Sequence, residues 1–309
     1  MEQQNNAAKF AFLYMLSLVA LIFMALSAGI IVFQIINKNI ADIPYALPGS
    51  FDAGALKFAI SAIIIAAPIY YLTLWQINKN LFAGLLPQDS EIRKWLTYFI
   101  LFISSVVMLG WLVAVIYNFL DGELTIKFVL KALTAFAIAA AIFSYYFYDI
   151  KRQNIAGARN KVVKIFFFAS LAVVVITLAS AFFFVESPAE TRARKMDNAV
   201  LEKFDRIDSA LNTFYNDSNK LPSDLNELTA AKIGFYLSEE DLQDSATKEK
   251  FIYKATGVDA YELCAAFRSS NKIDDIRLNY YRDRWPHDAG YQCLGQKVRK
   301  EIKDAPARP

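Results

Sequence analysis

Residues 165–185 read IFFFASLAVVVITLASAFFFV, an uncharged run of 21 residues that stops at Glu186 and gives way to SPAETRARKMDNAVLEKFDR. A hydrocarbon core about 30 Å thick is crossed by roughly 20 apolar residues of helix, so the run is long enough to span a bilayer. Working outward toward the N-terminus, four more uncharged runs appear at 10–37, 58–78, 95–120 and 132–148, each bounded by ionisable residues. The fourth is the shortest, and residues 126–130 extend it if Lys127 and Lys131 send their ammonium groups toward the headgroups. Buried helices of soluble proteins are shorter and carry an interrupting polar face, which these runs lack. A cleaved signal peptide is the alternative for the first run, since Lys9 precedes it and Ala25-Leu26-Ser27-Ala28 offers small residues for cleavage. The apolar sequence continues through Ile30 to Phe33, however, so an uncleaved span is expected.

Charge separates the chain into two unlike parts. Residues 1–185 hold 13 Lys and Arg against 8 Asp and Glu, whereas residues 186–309 hold 20 against 22. A single globular fold does not produce that contrast, and the second part reads as a separate soluble domain. Orientation follows from the cations in the short loops. With the N-terminus in the cytoplasm, the inner segments carry Lys9, Lys79, Arg93, Lys94, Lys151, Arg152, Arg159, Lys161 and Lys164, against Lys38, Lys57, Lys127 and Lys131 outside. Five spans then place the C-terminal domain outside the cytoplasm. Arg192, Arg194 and Lys195 count against this, although long translocated domains obey the rule weakly. Trp75, Trp95, Tyr98, Tyr145, Tyr146 and Tyr148 anchor the inner interface.

Several chemistries are excluded by counting. One histidine, His287, supplies neither bis-His haem ligation nor a two-His metal site, and two cysteines, Cys264 and Cys293, do not build a four-thiolate site. No nucleotide-binding glycine motif and no nucleophile elbow is present. No Asp, Glu, Arg or His lies near the middle of a span, which leaves a proton relay without a carrier. Gln34, Gln76, Ser104, Ser105 and Thr134 read as interhelical hydrogen-bonding groups. Ala25 with Gly29, and Ala135 with Ala139, read as close helix contacts.

Ala8-Lys9-Phe10-Ala11-Phe12-Leu13-Tyr14, Ala55-Leu56-Lys57-Phe58-Ala59-Ile60, Arg93-Lys94-Trp95-Leu96-Thr97-Tyr98, Gly122-Glu123-Leu124-Thr125 with Phe128-Val129-Leu130-Lys131, and Tyr145-Tyr146-Phe147-Tyr148-Asp149 together resemble an uncharacterised bacterial four-helix membrane domain. The resemblance covers residues 1–152 and implies a topology and a bacterial cytoplasmic membrane, but no activity. The expected division is a four-helix membrane domain at 1–152, a cytoplasmic loop with the fifth helix at 153–185, and an extracytoplasmic domain at 186–309.

Beyond the fifth span, Met196, Val200, Phe204, Ile207, Leu211 and Phe214 recur at helical intervals with charges between them, predicting an amphipathic helix with one buried stripe. Asn216-Asp217-Ser218-Asn219 stops it, and Ser223 or Asp224 caps a short second helix through Leu228. Residues 251–255 and 260–267 read as strands joined by a hairpin turn, with Tyr261, Leu263, Ala265 and Phe267 on the face that covers the helix. The predicted architecture is therefore a five-helix membrane bundle followed by a small α+β domain. Outside the cytoplasm Cys264 and Cys293 are expected to form a disulfide, the alternative being two buried thiols.

Phe214-Tyr215-Asn216-Asp217, Leu221-Pro222-Ser223-Asp224-Leu225, Leu228, Phe251-Ile252-Tyr253 and Tyr261-Glu262-Leu263 resemble the globular part of type II secretion pseudopilins and type IV pilins. Those proteins start their membrane helix at a processed Gly-Phe junction with a glutamate shortly after it. Asn160-Lys161-Val162-Val163-Lys164-Ile165 has neither, and four spans precede it. The resemblance thus implies a tethered interaction module meeting an envelope or secretion-type partner, without assembly into a pilus.

Four further features carry candidate chemistry. The acidic stretch Glu239, Glu240, Asp241 and Asp244 offers oxygen ligands for calcium but matches no calcium-loop spacing, and an acidic turn in solvent is the simpler reading. Ser269-Ser270-Asn271-Lys272 contains S-x-x-K without its companion motifs. His287 beside Asp288 lacks a placed nucleophile. Arg277, Arg282 and Arg284 alternate with Tyr280, Tyr281 and Trp285, which suits a polyanion or glycan less well than cation–π packing at an edge. The expectation is a membrane protein without enzymatic activity, cofactor or nucleic-acid partner. The alternative is a small transport or channel subunit with a polar lumen lined by Gln34, Gln76, Ser104, Ser105 and Thr134.

Overall fold

The computed structural model describes residues 2–40, 51–84, 90–152, 160–230, 237–272 and 280–299. The chain forms two compact units, Met1–Val185 and Glu186–Pro309.

The first unit consists of α1 (Glu2–Asn39), α2 (Ala53–Phe82), α3 (Glu91–Leu120), α4 (Ile126–Lys151) and α5 (Lys161–Phe182). All five are long and apolar enough to cross a membrane. Three of the apolar runs are prolonged by local capping chemistry. Asp52 accepts from the backbone amides of Gly54 and Ala55 at 2.8 and 3.1 Å, Thr125 from Phe128, and Asn160 from Val162, so the first turns of α2, α4 and α5 leave fewer orphan donors. The α4 cap explains why the fourth helix starts at Ile126 and takes in Lys127, which is buried. Gly122, at φ 74°, makes the left-handed turn that folds α4 back on α3. In the packing, α1 lies along α2, α3 along α4, and α5 mainly against α1 and α2. Ile31, Leu56, Ile63 and Ala181 are fully buried at the centre, while Phe102, Leu109, Val113, Phe168 and Ile176 are exposed. Large apolar side chains thus cover the outside of this unit as well as its inside.

The second unit opens on α6 (Pro188–Ser218). Ser187 accepts from the Glu190 amide at 3.1 Å and the Glu190 carboxylate accepts from the Ser187 amide at 3.0 Å, a capping box with Pro188 at the first helical position. Asn219, at φ 54°, ends the helix. Then follow α7 (Asn226–Ala230), a 3-10 turn (Glu239–Leu242), β1 (Ile252–Ala255), β2 (Ala260–Phe267), α8 (Tyr280–Arg284) and β3 (Gly290–Lys297). The sheet is antiparallel in the order β1-β2-β3. Tyr261, Leu263, Ala265 and Phe267 are buried together with Val200, Leu201, Phe204, Ile207 and Leu211 of α6. Phe204 is the hub, with Phe251, Trp285 and Phe267 edge-on to it at 5.1, 5.5 and 6.2 Å between ring centroids. The expected stripe is thus shifted: Met196 and Phe214 are only half-buried, while Leu201, Ala210 and Tyr215 join the core. The third strand, at 290–297, was not anticipated from the sequence.

Candidate functional site

One end of the first unit is built from the starts of α1, α3 and α5 and the finishes of α2 and α4. Arg93 lies in the first turn of α3 and Asp149 in the last turn of α4, so the antiparallel pairing of these helices brings the two together. The Arg93 guanidinium donates to the Asp149 carbonyl and carboxylate, both at 2.9 Å, and Arg152 donates to the other carboxylate oxygen. The three side chains are 7, 12 and 8% exposed. Burial of the charges is offset by this mutual pairing and leaves the cluster with one excess positive charge.

Beside it lies a small cavity of about 30 Å³ lined by Tyr14, Ser17, Asn78, Thr97, Tyr145, Tyr146 and Asp149 together with apolar side chains. That volume has room for about two water molecules. The Tyr14 hydroxyl and the Arg152 Nε are buried with no hydrogen-bond partner among the described residues, and Tyr70 and Tyr146 place their hydroxyls 3.5 Å apart. These groups can bind and orient a polar ligand through hydrogen bonds.

The five polar residues considered for a lumen do not converge. Ser104, Ser105 and Thr134 each donate to a carbonyl of their own helix, at Ile100, Leu101 and Leu130, all at 2.8 Å. Gln34 accepts from the Asp52 amide at 2.8 Å, pinning the start of α2 to α1, and Gln76 is exposed. A Cβ on Gly29 would meet Ile138 at 3.7 Å, so α1 and α4 approach closely there. Small residues accordingly sit at a helix contact.

In the second unit, the polar side of α6 is structural. Asp197 accepts from the amides of Arg268 and Ser269 at 2.9 and 2.8 Å and from the Ser269 hydroxyl at 2.6 Å. Asp205 accepts from the Trp285 indole at 2.7 Å. Asp208 accepts from the Tyr261 phenol and from Arg284. Burial and then the Asp208 charge push the Tyr261 phenol well above its usual pKa. Trp285 is fully buried, so it is a core anchor instead of part of a glycan surface, and Arg284 lies 5.9 Å from its ring centroid. Arg277 lies outside the described residues.

The two aspartates of the acidic stretch are turned toward cations of the protein itself. Asp241 accepts from the Ser238 amide and hydroxyl and from Arg206 at 2.9 Å, and Asp244 from the Ala246 amide and from Arg268 at 3.2 Å. Burial opposes ionisation at both carboxylates, but these hydrogen bonds and the arginine charges outweigh it and hold both below the usual aspartate range. Lys203 donates to the carbonyls of Glu240 and Gln243 at 2.6 and 2.7 Å. The two aspartates thus spend their oxygens on arginine and on local donors, while Glu239 and Glu240 are exposed.

The S-x-x-K string is likewise dispersed: Ser269 serves Asp197, and Lys272 pairs with Asp288 at 2.5 Å. His287 is buried, stacks on Phe267 with centroids 4.0 Å apart, and directs Nδ1 at the Trp285 carbonyl at 2.9 Å. A carbonyl only accepts, so Nδ1 carries the proton and Asp288 plays no part in orienting the ring.

Cys264 and Cys293 are directly paired positions of β2 and β3, with their sulfurs 2.07 Å apart, at disulfide distance. Glu262 places a carboxylate oxygen within 4.8 Å of both sulfurs. Joined in a disulfide, the two sulfurs have no thiolate to offer a metal.

Neither the curated proteins nor the solved structures include a match to this chain. Residues 11–146, from within α1 to within α4, match a family model described as a domain of unknown function, DUF5671.

Proposed function

We propose that the chain is a non-enzymatic multi-pass protein of the bacterial cytoplasmic membrane, with its N-terminus in the cytoplasm, that displays a pilin-like interaction module on the outer side for another envelope component. The observation that carries this reading is the change of exterior at Glu186. Large apolar side chains cover α1 to α5, as suits a hydrocarbon solvent, whereas α6 turns its apolar stripe onto its own sheet. The excess of Lys and Arg in the loops assigned to the inside supports the orientation. The cysteine pair at disulfide distance fits an oxidising compartment for the second unit. A long helix laid on a small antiparallel sheet supports the pilin-like description.

The test is cysteine accessibility in intact cells, read with a membrane-impermeant maleimide on the full-length protein. Labelling of Cys264 and Cys293 only after treatment with an impermeant reductant is the expected result. Labelling that requires permeabilisation of the membrane, and no reductant, would place the second unit in the cytoplasm and remove both the topology and the envelope partner.

A further inference from the structure

Tyr261, Leu263, Ala265 and Phe267 of β2 turn into the core with α6, so Glu262 and Cys264, at the alternate positions, lie on the opposite face of the sheet. Cys293 is paired with Cys264 across the β2–β3 ladder and Gly295 with Glu262, which brings all four onto that face. Gly295 leaves the place opposite Glu262 without a side chain, and a Cβ built there would meet the Glu262 Cγ at 3.9 Å, so the glutamate extends over the glycine toward β3. A carboxylate oxygen of Glu262 and the two sulfurs lie within 4.8 Å of one another, and among the described residues no other three His, Cys, Asp or Glu side chains converge in this way. Lys254 is the residue paired with Glu262 on β1, yet among the described residues the two form no ion pair, and the carboxylate lies at the sulfurs instead. Cys293 is exposed, whereas Cys264 is buried.

We propose that reduction of the Cys264–Cys293 disulfide opens a zinc site, with the two thiolates and the Glu262 carboxylate as ligands and water in the fourth position. The reduction is thiol–disulfide exchange with a dithiol. Its thiolate attacks the exposed Cys293 sulfur, the S–S bond breaks with Cys264 leaving as the thiolate, and the second thiol of the reductant resolves the mixed disulfide. The dithiol loses two electrons and two protons and becomes a disulfide, while Cys264 and Cys293 gain them. Zinc then displaces the two thiol protons. The donor set selects the metal. Sulfur ligands disfavour calcium and magnesium, which take oxygen, and a carboxylate beside two thiolates suits zinc, which accepts both donor types in a tetrahedron. Two thiolates and a carboxylate in one place repel one another, and a divalent cation removes that repulsion. Zinc at about 2.3 Å from sulfur and about 2.1 Å from oxygen sets its donors roughly 3.6–3.8 Å apart. Side-chain rotation reaches that spacing once the S–S bond is broken, because the ladder keeps the cysteine Cα atoms 4.0 Å apart and the glutamate on the same face. The site does not depend on which side of a membrane the second unit occupies, so it is tested apart from the topology.

In the experiment, full-length protein in detergent is reduced with dithiothreitol, freed of it by anaerobic gel filtration, and titrated with zinc against a chromophoric chelator. Cadmium serves as the optical probe of thiolate ligation. Expected are about one zinc per chain, a cadmium–thiolate absorption band and release of about two protons. All three should be absent from the unreduced protein, which keeps its disulfide and is the control. Glu262→Gln, at a half-buried position outside the core, should weaken zinc binding by more than the roughly tenfold that loss of an outer-shell partner costs, while the cadmium–thiolate band persists. Cys264→Ser with Cys293→Ser should abolish both. Equal zinc uptake by the unreduced protein, or an affinity unchanged in Glu262→Gln, would overturn the site. So would reduced protein whose two thiols react with maleimide but which takes up no zinc.

Discussion

Asp149 is the side chain on which the Asp149 end of the first unit depends most. Its carboxylate accepts from two buried guanidinium groups, so Asp149→Ala removes the countercharge of both Arg93 and Arg152. Breaking a buried pair from one side costs about 3–5 kcal/mol, and the thermal unfolding midpoint in detergent should drop accordingly. Arg93→Met, Asp149→Leu and Arg152→Met together, which remove all three charges at similar volume, should cost far less, and an equal loss would sink the account of mutual dependence. A second residue-scale expectation concerns Asp241 and Asp244. Their folded pKa values lie below the unfolded one, so their contribution is present above about pH 4 and is lost as the pH falls through the folded values. Fluorine NMR of a fluorinated Trp285 should therefore show the second unit loosening in acid, and Asp241→Asn with Asp244→Asn should flatten that pH dependence. These residues were hard to read from the sequence. A search for charges at the centres of spans passes over Arg93 and Asp149, which lie at helix ends and meet only through tertiary pairing. Asp205 and Asp208 fall on what looks like the wet side of α6, because periodicity reports where the apolar side chains point and not what a second neighbour, here the segment carrying Arg284 and Trp285, lays over the polar ones.

Among the elements, those with strong internal periodicity or uninterrupted apolarity were legible: the five long helices, α6 with its stripe, and the β1–β2 hairpin. The third strand was not. Gly290 and Gly295 are poor strand formers, and Leu294 is the one buried position within it. β3 exists because β2 offers it a ladder and because Cys293 faces Cys264 across that ladder. Replacing both cysteines by alanine removes a cross-link over a sequence separation of 29, worth about 3–4 kcal/mol in the unfolded-chain view. The loss should concentrate in β3, so hydrogen exchange on the full-length protein should show its amides deprotected first, with β2 retaining protection from the α6 contact and β1 from its ladder with β2. Uniform loss across the sheet would mean that the strand pairs are one cooperative unit. Loss of the capping box in Ser187→Ala is a smaller matter, about 1 kcal/mol, confined to the first turn of α6.

At the scale of the whole molecule, the two units bury their apolar surface separately. The core around Phe204, Tyr261, Leu263 and Trp285 draws every member from residues beyond Glu186, and the core around Ile31, Leu56 and Ile63 draws every member from before it. The polar contacts follow the same division, since Asp197, Asp205 and Asp208 all take their donors from the second unit. A unit that satisfies both its apolar faces and its buried carboxylates internally has what independent folding requires. Residues 186–309 produced alone and exported to an oxidising compartment should accordingly yield a soluble monomer with one cooperative unfolding transition and a disulfide formed in the purified protein. The same segment made in a reducing compartment should unfold at a lower midpoint by the amount the cysteine-to-alanine pair loses, because the two experiments remove the same constraint. If the exported segment instead aggregates with its disulfide formed, then part of its surface is matched to the first unit, and the picture of a free module offered to an envelope partner gives way to one in which both units work as a single body.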